Sequence, residues 1–245
     1  MYVIGDIGNT ETKICIFNNN KKLLKKKILN TNNINFSNLK NSLSFMRVYS
    51  KKIKKIIFSS VVPNVFKIIK KTIKKRYKLK VKELKQCNFK KKLKVEVNMK
   101  QVGSDRLANA ISVMNNQDNF IIVDFGTATT FDVVLKNNYK GGIIAPGVNL
   151  SLKTLVKKAK LIPNMKLMKT KNIIGKNTEQ AVRAGFYFGY QGLIENIINM
   201  IENKTKKKFK IILTGGLSHL YKKSLRKKIK VDKDLTVKGL LKLIN

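Results

Sequence analysis

Two stretches of this 245-residue chain set a carboxylate, a glycine and hydroxyl groups in a turn between apolar runs. Val3-Ile4-Gly5-Asp6-Ile7-Gly8-Asn9-Thr10-Glu11-Thr12-Lys13-Ile14-Cys15-Ile16-Phe17 matches Ile121-Ile122-Val123-Asp124-Phe125-Gly126-Thr127-Ala128-Thr129-Thr130-Phe131-Asp132-Val133-Val134-Leu135 at a constant offset of 118 residues. That offset is about half the chain, so each half opens with the same supersecondary unit. Each copy predicts a β-hairpin. Gly8 and Gly126 permit a tight turn whose backbone N–H groups face an anion, and Asn9, Thr10, Thr127, Thr129 and Thr130 add neutral donors. Asp6 and Asp124 repel a phosphate, so a cation, a water or a substrate proton must lie between each of them and such a ligand. One copy alone reads as an ordinary tight turn. Two copies at matching places favour a pair of facing hairpins that clamp a polyphosphate.

Other elements must place these turns. Phe209-Lys210-Ile211-Ile212-Leu213-Thr214-Gly215-Gly216 predicts a buried strand whose double glycine lets backbone approach a flat ligand such as adenine. Ile56-Ile57-Phe58 predicts a strand, followed by the loop Ser59-Ser60-Val61-Val62-Pro63, and residues 65–77 have helical spacing. A helix over 106–114 follows Gly103-Ser104-Asp105 directly, which sets Asp105 at or near a helix amino terminus, as a cap or as a functional carboxylate. A long helix is expected over 177–203, with Val182, Phe186, Gly189, Leu193, Ile197 and Ile201 on one face and a capping pair in Asn177 and Gln180. Its Gly185, Gly189 and Gly192 each cost about 1 kcal/mol relative to alanine, so a partner helix, from this chain or a second subunit, is expected against them. In the lysine- and asparagine-rich stretches 18–52 and 78–98 only short strands are expected.

Composition excludes several classes. The chain is 43% hydrophobic and 27% charged, which is the globular range. No apolar run reaches the roughly 18 residues of a membrane span, and Asp6 stands where a signal peptide needs an apolar stretch; a soluble cytoplasmic protein with no membrane partner is expected. Cys15 and Cys87, without CxxC or a nearby histidine, argue against a disulfide scaffold or structural zinc, and His219 reads as a polar loop residue. The net charge of +40 points towards nucleic acid, but only Arg47, Arg76, Arg106, Arg183 and Arg226 among 53 basic residues are arginine. Base and phosphate recognition enriches arginine, so a solvated lysine surface is the better reading and no specific nucleic-acid partner is expected.

Six motifs in order carry a family resemblance over nearly the whole chain: Asp6-Ile7-Gly8-Asn9-Thr10, Gly103-Ser104-Asp105-Arg106, Asp124-Phe125-Gly126-Thr127-Ala128-Thr129-Thr130, Gly141-Gly142-Ile143-Ile144-Ala145-Pro146-Gly147, Gly175-Lys176-Asn177-Thr178 and Thr214-Gly215-Gly216. Together they resemble type III pantothenate kinase. The resemblance implies an α/β, actin-like (ribonuclease H-like) duplicated fold with the nucleotide cleft between its domains, residues 1–113 and 114–245, the second dimerising. It implies ATP-dependent phosphorylation of the primary hydroxyl of pantothenate to 4'-phosphopantothenate, the first step towards coenzyme A. Carried over, Asp6, Ile7, Gly8, Asn9, Thr10, Glu11, Thr12 and Lys13 form the first phosphate loop and Thr127 touches ATP. Asp105 accepts the hydroxyl proton, Gly103, Ser104, Asp105 and Arg106 line the pantothenate site, and Thr178 is a further substrate contact. Asp124 holds a monovalent cation, potassium or ammonium, Mg2+ arrives with the nucleotide, and the protein is a homodimer.

One segment departs from the family. Glu96 falls where a tyrosine is common and Met99 where a proline is, so a carboxylate enters the loop expected to enclose an anionic substrate. Two other readings compete: a sugar-type kinase of the same superfamily, which shares the hairpins but not the segments 103–106 and 175–178, and a non-enzymatic, nucleic-acid-associated regulator, which has no need of Asp6, Asp105 and Asp124 together.

Overall fold

The computed structural model describes residues 1–225 and 227–244. In chain order it contains β1 (Tyr2–Ile7), β2 (Glu11–Phe17), β3 (Leu23–Asn30), α1 (Phe36–Ser42), β4 (Lys55–Ser60), α2 (Pro63–Tyr77), β5 (Val81–Glu83), β6 (Lys94–Val95) and α3 (Ser104–Val113). There follow β7 (Asn119–Phe125), β8 (Ala128–Leu135), β9 (Asn138–Pro146), α4 (Val148–Lys158), α5 (Thr178–Thr205), β10 (Lys210–Gly215), α6 (Ser218–Tyr221), β11 (Ile229–Val231) and α7 (Leu235–Leu241).

The chain forms two compact units, one of Met1–Val113 with the segment from Asp234 onward, the other of Met114–Lys233. The sequence expectation ran the second domain to 245; the structure returns the carboxyl-terminal helix to the first unit. The reason is packing: Leu235, Val237 and Leu240 are buried, and a Cβ on Gly239 would stand 1.8 Å from the Ala108 carbonyl oxygen, so α7 and α3 cross backbone to backbone.

In the first unit the sheet order is β3-β2-β1-β4-β5, with β1–β2 and β2–β3 antiparallel and β1–β4 and β4–β5 parallel. One face, carrying Val3, Ile7, Ile14, Ile16, Ile56 and Phe58, packs on Leu39 of α1 and on Val65, Ile69 and Ile73 of α2. The other face meets α3 and α7. The stretch 18–52 is more ordered than expected: β3, α1 and a 3-10 segment over Ser44–Lys52 bury Leu39, Leu43 and Met46. Their apolar residues are sparse among lysines, which masks the periodicity in sequence.

The second unit repeats the plan. Its own strands run β11-β10-β7-β8-β9, with β7–β8 and β8–β9 antiparallel and β7–β10 and β10–β11 parallel. Ile121, Val123, Phe131 and Val133 pack on Val148 and Leu152 of α4 and on Tyr187, Ile194, Ile198 and Ile201 of α5. Asn177 caps α5, its Oδ1 accepting from the Gln180 N–H at 2.9 Å, as the capping pair predicts. The buried line of α5 is Ala184, Tyr187, Ile194, Ile198 and Ile201, rotated from the expected face. Within 4 Å of a Cβ built on Gly185, Gly189 or Gly192 there is nothing, so the described residues supply no partner helix there.

The two hairpins show where the duplication slips. Asp6 pairs with Lys13 across β1–β2, whereas Asp124 pairs with Thr130 across β7–β8. The offset is therefore 118 on the first strand of each hairpin and 117 on the second, because the second turn is one residue shorter. Thr12 matches Thr129 in register, and Lys13 matches Thr130.

Candidate functional site

The first hairpin is built for a tight turn. The Gly8 N–H donates to the Glu11 carbonyl at 3.0 Å, and Asn9 and Thr10 stand exposed at its tip. A residue that sequence reasoning missed braces this turn: Thr31, just after β3, donates its N–H to the Thr10 carbonyl at 2.9 Å and its hydroxyl to the Gly8 carbonyl at 2.8 Å. Its Oγ1 also lies 2.9 Å from the Thr12 hydroxyl, with both threonines buried. The signal for Thr31 lies 19 residues beyond Thr12, in an asparagine run, and only the β2–β3 pairing brings it back.

At the root of the hairpin Asp6, the next-to-last residue of β1, is half-buried between Lys13 on β2 and Ser59 on β4. The Ser59 hydroxyl donates to Asp6 Oδ1 at 2.6 Å. Burial pushes the Asp6 carboxyl up to about 6; the Ser59 hydrogen bond and the Lys13 charge oppose this, and the negative charge of Asp105 adds to it. Asp6 and Asp105 are thus electrostatic neighbours within one unit.

Asp105 lies in the first turn of α3, which starts two residues earlier than the sequence suggests. Its carboxyl is raised by burial, against a hydrogen bond from the Arg106 N–H at 2.8 Å and the positive charges of Arg106 and Lys85. Gly103 is fixed by this carboxylate: a Cβ there would fall 2.4 Å from Asp105 Oδ1. The Ser104 hydroxyl is turned away to donate to Glu83 Oε1, and Glu83 Oε2 accepts from the Lys85 N–H at 2.7 Å. Ser104 is buried and anchors the start of α3 to the end of β5; Glu83 was not anticipated from sequence. Glu96 is exposed.

The second hairpin belongs to the second unit, with Asp124, Thr127 and, at the first position of α5, the exposed Thr178. The Gly126 N–H donates to the Ala128 carbonyl at 3.0 Å and Thr127 is exposed at the tip. Backbone closes around it. Gly215 has φ +82°, and a Cβ there would stand 2.6 Å from Asp124 Oδ1 and from the Phe125 N and O. A Cβ on Gly147 would reach to 2.1 Å from the Thr127 carbonyl oxygen. His219 is exposed on the short α6, its Nδ1 3.1 Å from the Gly216 carbonyl oxygen. Among the described residues no helix is long and apolar enough to cross a membrane.

Comparison with known proteins matches residues 2–200 to the family described as type III pantothenate kinase. A type III pantothenate kinase of Pelagibacter ubique is 56% identical over 99% of this chain and 98% of its own length, and one from Sulfurihydrogenibium sp. is 38% identical over 98% of each. Among solved structures, a Baf family transcriptional activator from Campylobacter jejuni has a TM-score of 0.63 at 20% identity, covering 99% of this chain and 96% of that one. A 2-dehydro-3-deoxygalactonokinase protein from Sinorhizobium meliloti has a TM-score of 0.61 at 10% identity, covering 99% and 98%. At such identities the structural likeness speaks for the fold alone, a duplicated α/β architecture of the actin-like kind. The two hairpins, the Gly103–Arg106 turn and the full-length sequence match agree, and the chain belongs to the type III pantothenate kinase family, a family of ATP-using kinases.

Proposed function

We propose that the protein transfers the γ-phosphoryl group of ATP to the primary hydroxyl of pantothenate, in the cytoplasm, as the entry step to coenzyme A. The observation that carries this is Asp105: a carboxylate with a raised pKa at the start of α3, given room by Gly103 and electrostatically coupled to the acid of the phosphate hairpin. Phosphoryl transfer to an alcohol has a loose transition state, so alignment and charge dispersal dominate and the hydroxyl proton leaves late. Asp105 is the acceptor of that proton, and a raised pKa makes it a better base than a solvated carboxylate.

Roles follow for the other residues. The turn from Asp6 to Lys13 takes the phosphates, with Thr127 also on ATP. Arg106 offers a planar fork suited to the pantothenate carboxylate, beside Gly103 and Ser104, and Thr178 is a further substrate contact. Ser104 acts by holding the loop, since its hydroxyl is engaged by Glu83. Asp124 suits a potassium or ammonium ion: the missing Cβ of Gly215 leaves its Oδ1 uncrowded, and Thr130 stands opposite it across the hairpin. Such an ion offsets polyphosphate charge, and Mg2+ accompanies the nucleotide. A homodimer is supported by the uncovered glycine line of α5 and by the strongly exposed Leu161, Ile173 and Ile174 of the same unit.

Coupled ADP release from the purified protein with ATP, potassium and pantothenate tests the assignment. Turnover with pantothenate and none with hexoses is expected; turnover with a hexose alone would move the protein to the sugar-kinase reading.

A further inference from the structure

The segment Ser59-Ser60-Val61-Val62-Pro63 was expected to be a connecting loop, yet β4 continues through Ser60, so Ser59 sits inside the sheet. It is fully buried, and its hydroxyl has a single charged partner, Asp6 Oδ1 at 2.6 Å. A buried hydroxyl donating to a carboxylate at that distance is a charge-assisted hydrogen bond and fixes the rotamer of the acid. The parallel register makes this a property of the fold: Asp6 pairs with Ser59 as Asp124 pairs with Thr214. Each duplicated half therefore sets a hydroxyl residue beside its hairpin acid, on the strand next to it.

We propose that Ser59 is a positioning residue of the phosphate hairpin, holding the Asp6 carboxylate in one orientation and in its ionised form, as the acceptor for the group that must stand between this acid and the phosphates of the nucleotide. This rests on the kinase reading for its consequence in catalysis, while the Ser59–Asp6 contact itself does not. The groups that act on Asp6 are Ser59 from β4, Lys13 from β2 and Asp105 from α3. The Cys15 thiol of β2 feels Asp6 in turn, and the Lys26–Asp234 ion pair at 2.5 Å acts on that same thiol. Of those acting on Asp6, Lys13 and Ser59 favour its ionised form and Asp105 opposes it. Losing the Ser59 hydroxyl therefore shifts its balance towards the protonated acid.

The test is a carboxyl carbon-13 NMR titration of the full-length protein, with Asp6 assigned through Asp6→Asn, run beside steady-state kinetics in ATP. In Ser59→Ala the Asp6 midpoint is expected to rise by roughly one unit, and kcat/KM for ATP to fall about tenfold at pH 6.5 but less than about threefold at pH 8.5. Ser59→Thr, which keeps the hydroxyl, should hold the wild-type midpoint and profile. An unmoved Asp6 midpoint in Ser59→Ala, or an activity loss equal at both pH values, would overturn the proposal. If the protein fails to phosphorylate pantothenate, the titration still reads the contact, so the two failures are separable.

Discussion

The two hairpins share a topology and a sequence pattern but are held in different ways. The first is tied by side-chain hydrogen bonds: Thr31 to the Gly8 carbonyl and the Thr12 hydroxyl, and Ser59 to Asp6. The second is hemmed by backbone, with Gly147 against Thr127 and Gly215 against Asp124 and Phe125. The contrast is sharpest at matched positions. Thr12 has a hydroxyl partner in Thr31, whereas its counterpart Thr129 is equally buried and its Oγ1 has no hydrogen-bond partner. Ser60 matches Gly215 in register, one with room for a side chain and the other with none. A shared ancestor fixes strand order, and each turn then acquires its own means of rigidity.

The largest expected effect asks whether the chemistry resides in the first unit. Asp105→Asn should lower kcat by about 10²–10⁴-fold with little change in melting temperature, and near-normal turnover would remove Asp105 from the mechanism. Gly215→Ala, which forces a Cβ into the Asp124 turn at positive φ, should cost roughly 2–4 kcal/mol in urea denaturation. The matched change Ser60→Gly should cost no more than about 1 kcal/mol; equal costs would dissolve the distinction between the hairpins.

Smaller effects refine it. Because burial raises the Asp6 pKa to about 6, the folded state holds a proton that the unfolded state has released, so stability falls as pH rises from about 4 to about 6. Asp6→Asn should therefore be the more stable protein by about 1–3 kcal/mol above pH 7, the advantage vanishing below pH 4; melting curves across that window that run parallel would refute it. Thr31→Val should cost about 1–2 kcal/mol and loosen ATP binding, whereas Thr129→Val should be neutral within about 0.5 kcal/mol, since one change breaks hydrogen bonds and the other buries a methyl in place of an unpartnered hydroxyl. Glu96→Gln should lower KM for pantothenate a few-fold at low salt and leave KM for ATP unchanged; a shift in both would locate Glu96 elsewhere in the cycle.

Much of this molecule was legible in its residues. The Asp-x-Gly repeat announced two halves, the capping pair marked the start of α5, and Gly103-Ser104-Asp105 located the α3 terminus within two residues. These are local signals, set by turn geometry and capping within a few positions of one another. What sequence missed is long-range. Thr31 and Glu83 look like ordinary loop residues until strand pairing brings them to Gly8 and Ser104, and the long-helix face was misplaced because apolar residues ring more than one side of α5.

The two hairpins, the acids and the glycines of the turns were determined by the chain itself, because hydrophobic runs and tight-turn residues act over short distances. Tertiary structure alone decided the one-residue slip between the hairpins, the return of α7 to the first unit, and the pairing of Ser59 with Asp6. Each of these depends on which backbones lie side by side, and that is settled only when the sheets close and water is excluded from between them.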